Sequence, residues 1–433
     1  MIKQDIYIKR IIETKIQEKL RLSGAVVIEG PKWCGKTSCG KFFANTLFDL
    51  SDPSGNFSNR KSAILDPSSV LDGKKPRLID EWQVAQGVWD AIKHAVDNSG
   101  KKGQYILTGS STPNEDDENS RIHSGAGRMS KVRMRTMTLQ EISKTKNLVK
   151  LNDLFNNIDV KITQGKLKLD QIIELSIIGG WPEHWANNTS CRDAYIRNKD
   201  YLDLIVGSNI KDKNGNAYRD PNKLKLLIKS ISRNVATSVS LKTINLDVGE
   251  EQENKESISR PTILTYIDFL KRLFIIEEIP AWSTHIRSTV RLRKAPKIIL
   301  ADPSLVSASL EVLPESWKAD LNAFGFVFES MVLKDLLVYA EVIDVSISHY
   351  RDNSDLEVDA ILTKENNKWS AIEIKLGVDD VEEGASNLLR LKNKMIKEGK
   401  NEPSFLAVIV GVGGILQKRD DGVYIIPYDC LSV

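Results

Sequence analysis

The sequence predicts an α/β fold class, and three observations carry that expectation. Short apolar runs at 25–29, 47–50, 77–79 and 105–108 alternate with helical segments, the order of a parallel α/β sheet. A glycine-bearing octapeptide separates the first of these runs from a helix. After Pro296 a second alternation of strands and helices appears, and the residues between the two are helical in pattern.

Ile8, Ile11, Ile12, Ile16 and Leu20 recur at helical spacing, so a helix precedes the first strand. A further strand is expected at 131–135, after a loop at 114–127 rich in Asp, Glu, Asn, Ser and Gly. From Thr138 to about Tyr201 the pattern turns helical, broken at Gly179-Gly180-Trp181-Pro182-Glu183, and reads as a lid subdomain. From Asn222 to Trp282 it is helical again. Strands are expected at 297–301, 341–349, 357–362, 369–374 and 404–410. The predicted domains are 1–137, a helical lid at 138–220, a helical module at 221–296 and a second α/β domain at 297–433.

With 433 residues the chain is long enough for several cores, and 41% hydrophobic with 27% charged residues is an ordinary globular balance. A formal charge of +3 does not by itself imply a nucleic-acid partner. Cys34, Cys39, Cys191 and Cys430 fall in no metal-ligand or disulfide spacing, and the five histidines are scattered, which fits a reducing cytoplasm. The N-terminus lacks the apolar core of a signal peptide, and the most apolar run, 405–416, is too short and too glycine-rich to span a bilayer, so no membrane partner is expected.

Gly30-Pro31-Lys32-Trp33-Cys34-Gly35-Lys36-Thr37 matches GxxxxGK[ST] between a predicted strand and a predicted helix. In that context backbone N–H groups, continuing to Ser38, wrap the phosphates of ATP at a helix N-terminus. Lys36 reaches the β- and γ-phosphates and the Thr37 hydroxyl ligates Mg²⁺; a chance glycine-rich turn is the alternative. Arg77-Leu78-Ile79-Asp80-Glu81 then supplies Asp80 for the metal and Glu81 to activate water, where a capping or surface pair is the plainer reading. The run ending in Gly109-Ser110-Ser111 puts small hydroxyls where a γ-phosphate sensor would lie, although turn chemistry accounts for them equally.

These motifs, with Ile79-Asp80-Glu81-Trp82-Gln83, Leu107-Thr108-Gly109-Ser110-Ser111, Gly127-Arg128, Arg133-Met134-Arg135 and Gly179-Gly180-Trp181-Pro182, resemble the bacterial and archaeal AAA-type ATPases fused to a C-terminal domain of unknown function. The resemblance covers nearly the whole chain. It implies an N-terminal P-loop ATPase, ATP and Mg²⁺ as cofactors, and Arg128 as an arginine finger that acts across the interface of a homo-oligomer. A basic loop containing Arg121, Lys131, Arg133 and Arg135 is the competing reading of Arg128.

In the middle, Ser259 caps and Pro261 opens a helix running through Leu264, Tyr266, Ile267 and Leu270, as in the second helix of a winged helix-turn-helix. Beyond it, His285, Arg287, Arg291, Arg293, Lys294 and Lys297 suit phosphate contacts with DNA, although winged helices also bind proteins. In the last domain Glu357-Val358-Asp359 and Glu373-Ile374-Lys375 sit on adjacent strand candidates, with Glu329 on the preceding helix. This is a PD-(D/E)xK-like, restriction-endonuclease-like pattern. Asp359 and Glu373 would share Mg²⁺, Glu329 would add a ligand and Lys375 would position water; solvated strand charges give the same alternation. The expected function is an ATPase coupling hydrolysis to action on nucleic acid, or alternatively an ATP-dependent switch that binds a protein partner through an inactive C-terminal domain.

Overall fold

The computed structural model describes residues 7–111, 125–143, 148–207, 220–238, 240–250, 258–283 and 295–433. They divide into two compact units: 1–136 with 181–186 and 270–275, and the remainder.

In the first unit the strands are β1 (Ala25–Glu29), β2 (Thr46–Asp49), β3 (Arg77–Asp80), β4 (Tyr105–Gly109) and β5 (Met129–Arg133), and the helices are α1 (Glu13–Leu22), α2 (Lys36–Phe43), α3 (Ser54–Leu65) and α4 (Gly87–Ser99). The five strands form one sheet in the order β2-β3-β4-β1-β5, and every pair is parallel. Its central strands are near-continuous apolar runs because both faces are covered; Ala25, Val26, Val27 and Ile28 are all buried. Strand order reverses beside β1, and in such sheets the crevice beyond the carboxyl ends of the strands is where ligands bind. The β1–α2 turn opens into that crevice.

The second unit begins with helical segments that include α5 (Leu169–Ile178) and α6 (Cys191–Gly207). Next come α7 (Pro221–Arg233), α8 (Leu241–Glu250), α9 (Arg260–Arg272) and an antiparallel ribbon of β6 (Ile276–Ile279) and β7 (Lys297–Leu300). Asp220 caps α7 through the N–H groups of Asn222 and Lys223, with Pro221 at the first helical position. At α9 the Ser259 hydroxyl accepts from the Thr262 N–H at 3.3 Å, the cap that its sequence implied. Segment 297–301 was expected to open the C-terminal sheet, but β7 pairs with β6 instead, matching Ile276 to Leu300 and Glu278 to Ile298.

The C-terminal sheet is introduced by α10 (Ser304–Leu310) and the long helix α11 (Leu321–Val342). It is built from β8 (Ser346–Arg351), β9 (Glu357–Lys364), β10 (Lys368–Lys375), β11 (Leu406–Val410), β12 (Ile415–Lys418) and β13 (Val423–Pro427), with α12 (Val381–Lys397) between β10 and β11. Seven strands make this sheet, in the order β8-β9-β10-β11-β13-β12 with the two-residue strand Thr163–Gln164 at the edge. β8, β9 and β10 pair antiparallel, whereas β10, β11 and β13 run parallel. A strand was expected over 341–349; α11 instead continues to Val342, and Asp344 turns the chain at φ 53° before β8 begins. α12 lays Val381, Ala385, Leu388, Leu391 and Met395 at helical spacing against the apolar face of the sheet.

Among the described residues no helix is long and apolar enough to cross a membrane.

Candidate functional site

The loop after β1 has the backbone that a phosphate cradle needs. A Cβ on Gly30 would lie 2.0 Å from the carbonyl oxygen of Met134, so only glycine lets the loop pass the end of β5. Gly35 caps α2 at φ +95°, a left-handed conformation that costs other residues, and it turns the first N–H groups of α2 toward the loop's centre. Pro31 and Cys34 are buried, whereas Lys32 and Ser38 are exposed on the loop and on the first turn of α2. The Lys36 side chain is buried and folds back, its Nζ donating to the Pro31 carbonyl at 2.7 Å.

Asp80, at the end of β3, faces Thr37. The Thr37 hydroxyl lies 3.0 Å from each Asp80 oxygen, and the Thr108 hydroxyl of β4 donates to the same carboxylate. Burial, more than its neighbours Glu81 and Asp49, pushes the Asp80 carboxyl above its ordinary range, and the two threonine hydroxyls pull it back. Such a group gains a partner when a cation arrives. Glu81 comes next at φ 56°, a left-handed backbone that aims its carboxylate across the crevice, where the Ser110 hydroxyl donates to it at 2.9 Å and Gln83 Nε2 donates to the same oxygen. The structure therefore brings Lys36, Thr37, Asp80, Glu81 and Ser110 to one edge of one sheet.

Arg128 is not among them. Its carbonyl accepts from the N–H groups of Gly24 and Ala25, at the start of β1, and its side chain pairs with Asp97. One strand length, about 13 Å, separates that level from the loop at the end of β1. Arg128 therefore stands at the other end of the strands from the loop at 30–37.

Arg10, which no sequence pattern singled out, and Trp33 of the motif complete the site. Arg10, 3% exposed, donates to the Cys34 carbonyl through one guanidinium nitrogen and to the Arg135 carbonyl through the other, both at 2.8 Å. Trp33, at φ 71°, stacks on Trp181 at 5.4 Å, meets His184 edge-on at 4.9 Å and donates to Glu183 at 2.6 Å. Trp181 belongs to the segment expected to break the helical lid; in the structure it is fully buried beside the phosphate loop.

In the second unit Asp359 and Glu373 come together across β9 and β10, where the Ile374 N–H donates to Asp359 at 2.9 Å, and Glu329 reaches them from α11. Lys375 lies 3.5 Å from Glu373. At the centre, however, stands the ammonium of Lys297, 2.8 Å from Glu329, 3.0 Å from Asp359 and 3.2 Å from Glu357. Burial and the charge of Asp359 push both Glu329 and Glu373 upward, with Lys297 opposing the rise at each. Burial alone would lower the Lys297 ammonium, but Asp359, Glu329 and Glu357 outweigh it and hold the proton on. Lys297 was expected among the phosphate-contacting bases; it is 2% exposed and faces carboxylates. Among the described residues no group of three or more His, Cys, Asp and Glu is arranged to hold a metal, in contrast to the expected ligand set of Glu329, Asp359 and Glu373. The other bases of that segment, His285, Arg287, Arg291, Arg293 and Lys294, lie outside the described residues, as do most of the loop expected at 114–127 and its Arg121.

Comparison with known proteins bears on the N-terminal region. Residues 23–143 match the model of an AAA domain. Over that span the chain is similar to AAA domains. The AAA family implies nucleotide binding, usually with Mg²⁺, and the hydroxyl and carboxylate of Thr37 and Asp80 are the donor types such a cation takes. Residues 169–316 and 324–431 match two domains of unknown function, DUF8612 and DUF4143. No curated protein matches the chain. Among solved structures, that of the Aeropyrum pernix Orc1 protein in complex with DNA is similar at 14% identity, over 73% of this chain and 95% of that one, with a TM-score of 0.27.

Proposed function

We propose that this chain hydrolyses ATP and uses the cycle to act on nucleic acid through the module of α7, α8, α9 and the β6–β7 ribbon. One observation carries the reading: Thr37 and Asp80 converge where a magnesium ion would bridge phosphates, and Glu81 is held beside them by Ser110. In this reading Lys36 and the N–H groups of the loop and first turn of α2 bind the phosphates, Thr37 and Asp80 would hold Mg²⁺, which neutralises phosphate charge when bound, and Glu81 orients the attacking water. Ser110 positions Glu81 and senses the γ-phosphate. The planar charge that such a transition state uses comes from Arg128 of a neighbouring copy, so the active form is a homo-oligomer.

Three helices followed by an antiparallel ribbon is the order of a winged helix-turn-helix, and the segment joining β6 to β7 carries Arg287, Arg291, Arg293 and Lys294, a backbone-contacting composition. A protein partner is the second reading. It is favoured by the exposed face of α9, where Leu264 and Asp268 stand beside Arg260 in place of a basic stripe. Steady-state ATP turnover of the full chain, with and without duplex DNA, single-stranded DNA and RNA, tests the proposal against a Lys36→Ala control. Stimulation that weakens steeply with salt supports the nucleic-acid partner. Turnover indifferent to every nucleic acid rejects that partner, and the absence of turnover in every condition rejects the ATPase reading.

A further inference from the structure

We propose that Lys297 is a built-in cation that takes the place of a divalent metal among Glu329, Asp359 and Glu357, so that removing its ammonium converts this cluster into a divalent-cation site. This holds whether or not the N-terminal domain turns over ATP.

The geometry is that of a filled position. An ammonium has three N–H groups, and Lys297 Nζ has a carboxylate oxygen from each of three residues within 3.2 Å. Two of those carboxylates, on Glu329 and Asp359, are largely buried, and the lysine side chain is 2% exposed. A hard cation bound by carboxylates sits about 2.0 to 2.6 Å from its oxygens. It would need the space that Nζ fills, and two cations cannot share one centre in a buried site. Lys297 also cannot readily swing away: it opens β7, whose backbone is fixed to β6, and moving the ammonium out would leave Glu329 and Asp359 as uncompensated buried charges. Glu373 is paired separately, with Lys375 at 3.5 Å, so the cluster is divided between two lysines.

Loss of the ammonium reverses this balance. With Lys297 replaced by a neutral side chain, Glu329, Asp359 and Glu357 surround a cavity of net negative charge built from oxygen donors. That is the ligand chemistry of Mg²⁺, Mn²⁺ or Ca²⁺. In the natural chain Asp359, expected to share a metal with Glu373, is instead paired with Lys297.

The test counts Mn²⁺ bound per chain by electron paramagnetic resonance of the free ion, on the full chain freed of nucleotide and stripped with chelator. The phosphate-loop site is common to all variants and cancels. Lys297→Ala and Lys297→Gln should each bind one Mn²⁺ more than the natural chain, and Asp359→Asn added to either should abolish the extra ion. The melting temperature of Lys297→Ala should be low in chelator and should recover with Mn²⁺, while that of the natural chain should not respond through Asp359. If Asp359→Asn alone, with Lys297 present, removes a bound Mn²⁺, the natural cluster already takes metal and the proposal fails. It fails equally if a folded Lys297→Gln chain binds no additional ion. Should Lys297→Ala not fold, the Lys297→Gln count and the comparison of the natural chain with Asp359→Asn still decide.

Discussion

The Ser110 hydroxyl donates to Glu81 Oε2 across 2.9 Å, tying the polar end of β4 to the carboxylate just beyond β3. Gln83 Nε2 holds the same oxygen, so Glu81 is oriented from two sides before any nucleotide enters. A group that orients or deprotonates water contributes about 10² to 10⁴ in rate. Glu81→Gln should therefore lower kcat by at least about 10²-fold, in line with that range, while leaving the nucleotide Kd nearly unchanged. Ser110→Ala removes the bond that positions Glu81, together with the proposed γ-phosphate contact, and should lower kcat by about tenfold, the effect of one ordinary hydrogen bond. Steady-state kinetics beside direct nucleotide titration separate the two. A Glu81→Gln chain that turns over normally would show that another residue handles the water.

Gly30 and Met134 fix how closely the phosphate loop passes the neighbouring strand. Because a Cβ at position 30 would sit 2.0 Å from the Met134 carbonyl oxygen, Gly30→Ala must push the phosphate loop and the end of β5 apart. Overpacking of this kind costs about 1 to 3 kcal/mol. The denaturation midpoint should fall accordingly, and nucleotide affinity should fall with it because the displaced segment is the cradle itself. Retention of both stability and affinity would mean that the loop does not pass β5 as described.

Arg128 lies at the opposite end of the strands from its own phosphate loop, held by Asp97. In the proposed mechanism such a finger would act on a neighbouring copy. Arg128→Ala should lower turnover with nucleotide binding intact, and mixing it with Lys36→Ala chains should restore activity, since the mixed pair rebuilds one complete site from two defective copies. No recovery over a range of mixing ratios, with each variant inactive alone, would remove Arg128 from the reaction.

Legibility in the sequence tracks how local each feature is. Gly30 to Thr37 and Asp80-Glu81 are contiguous, and their strand and helix neighbours are short and apolar, so both the motif and its setting were legible. Thr108 and Gln83 fell within quoted motifs but without a role of their own, and Arg10 touches the same site from a distant segment that no spacing marks. Lys297 misled for a physical reason: its neighbours in sequence are basic, whereas its neighbours in space, Glu329 and Asp359, are brought to it by α11 and β9. Helix α11 ran past its expected end because it is buried on nearly every side, which erases the periodicity that would mark its face.

Asp352 carries a pH-dependent part of the stability of the C-terminal sheet. Burial would raise its carboxyl, but the Lys394 ammonium at 2.6 Å, the Ser354 hydroxyl and the N–H groups of Ser354 and Leu356 hold it well below the ordinary carboxylate range. A carboxyl with a depressed folded-state pKa adds stability that is fully present above its unfolded value, about 4, and is lost as the pH falls below it. The unfolding free energy of the natural chain should drop between about pH 4 and pH 2 more steeply than that of Asp352→Asn. Urea titrations across that range measure the two slopes, and parallel slopes would contradict the assignment.

Arg10 ties the phosphate loop to the segment just beyond β5. One guanidinium bridges the Cys34 carbonyl of the phosphate loop and the Arg135 carbonyl beyond β5, both at 2.8 Å and out of contact with water. A lysine carries the charge but not the fork, so it can serve one carbonyl and leaves the other unsatisfied. Leaving a buried acceptor unpaired costs about 1 to 3 kcal/mol. Arg10→Lys should thus lower the denaturation midpoint by an amount in that range and weaken ATP binding, because the Cys34 peptide is free to turn; Arg10→Met, which abandons both carbonyls, should do more of each. Thermal unfolding and nucleotide titration on the same preparations read both effects. If Arg10→Met lost stability while binding ATP as tightly as the natural chain, the bridge would be holding the sheet edge and not the phosphate loop.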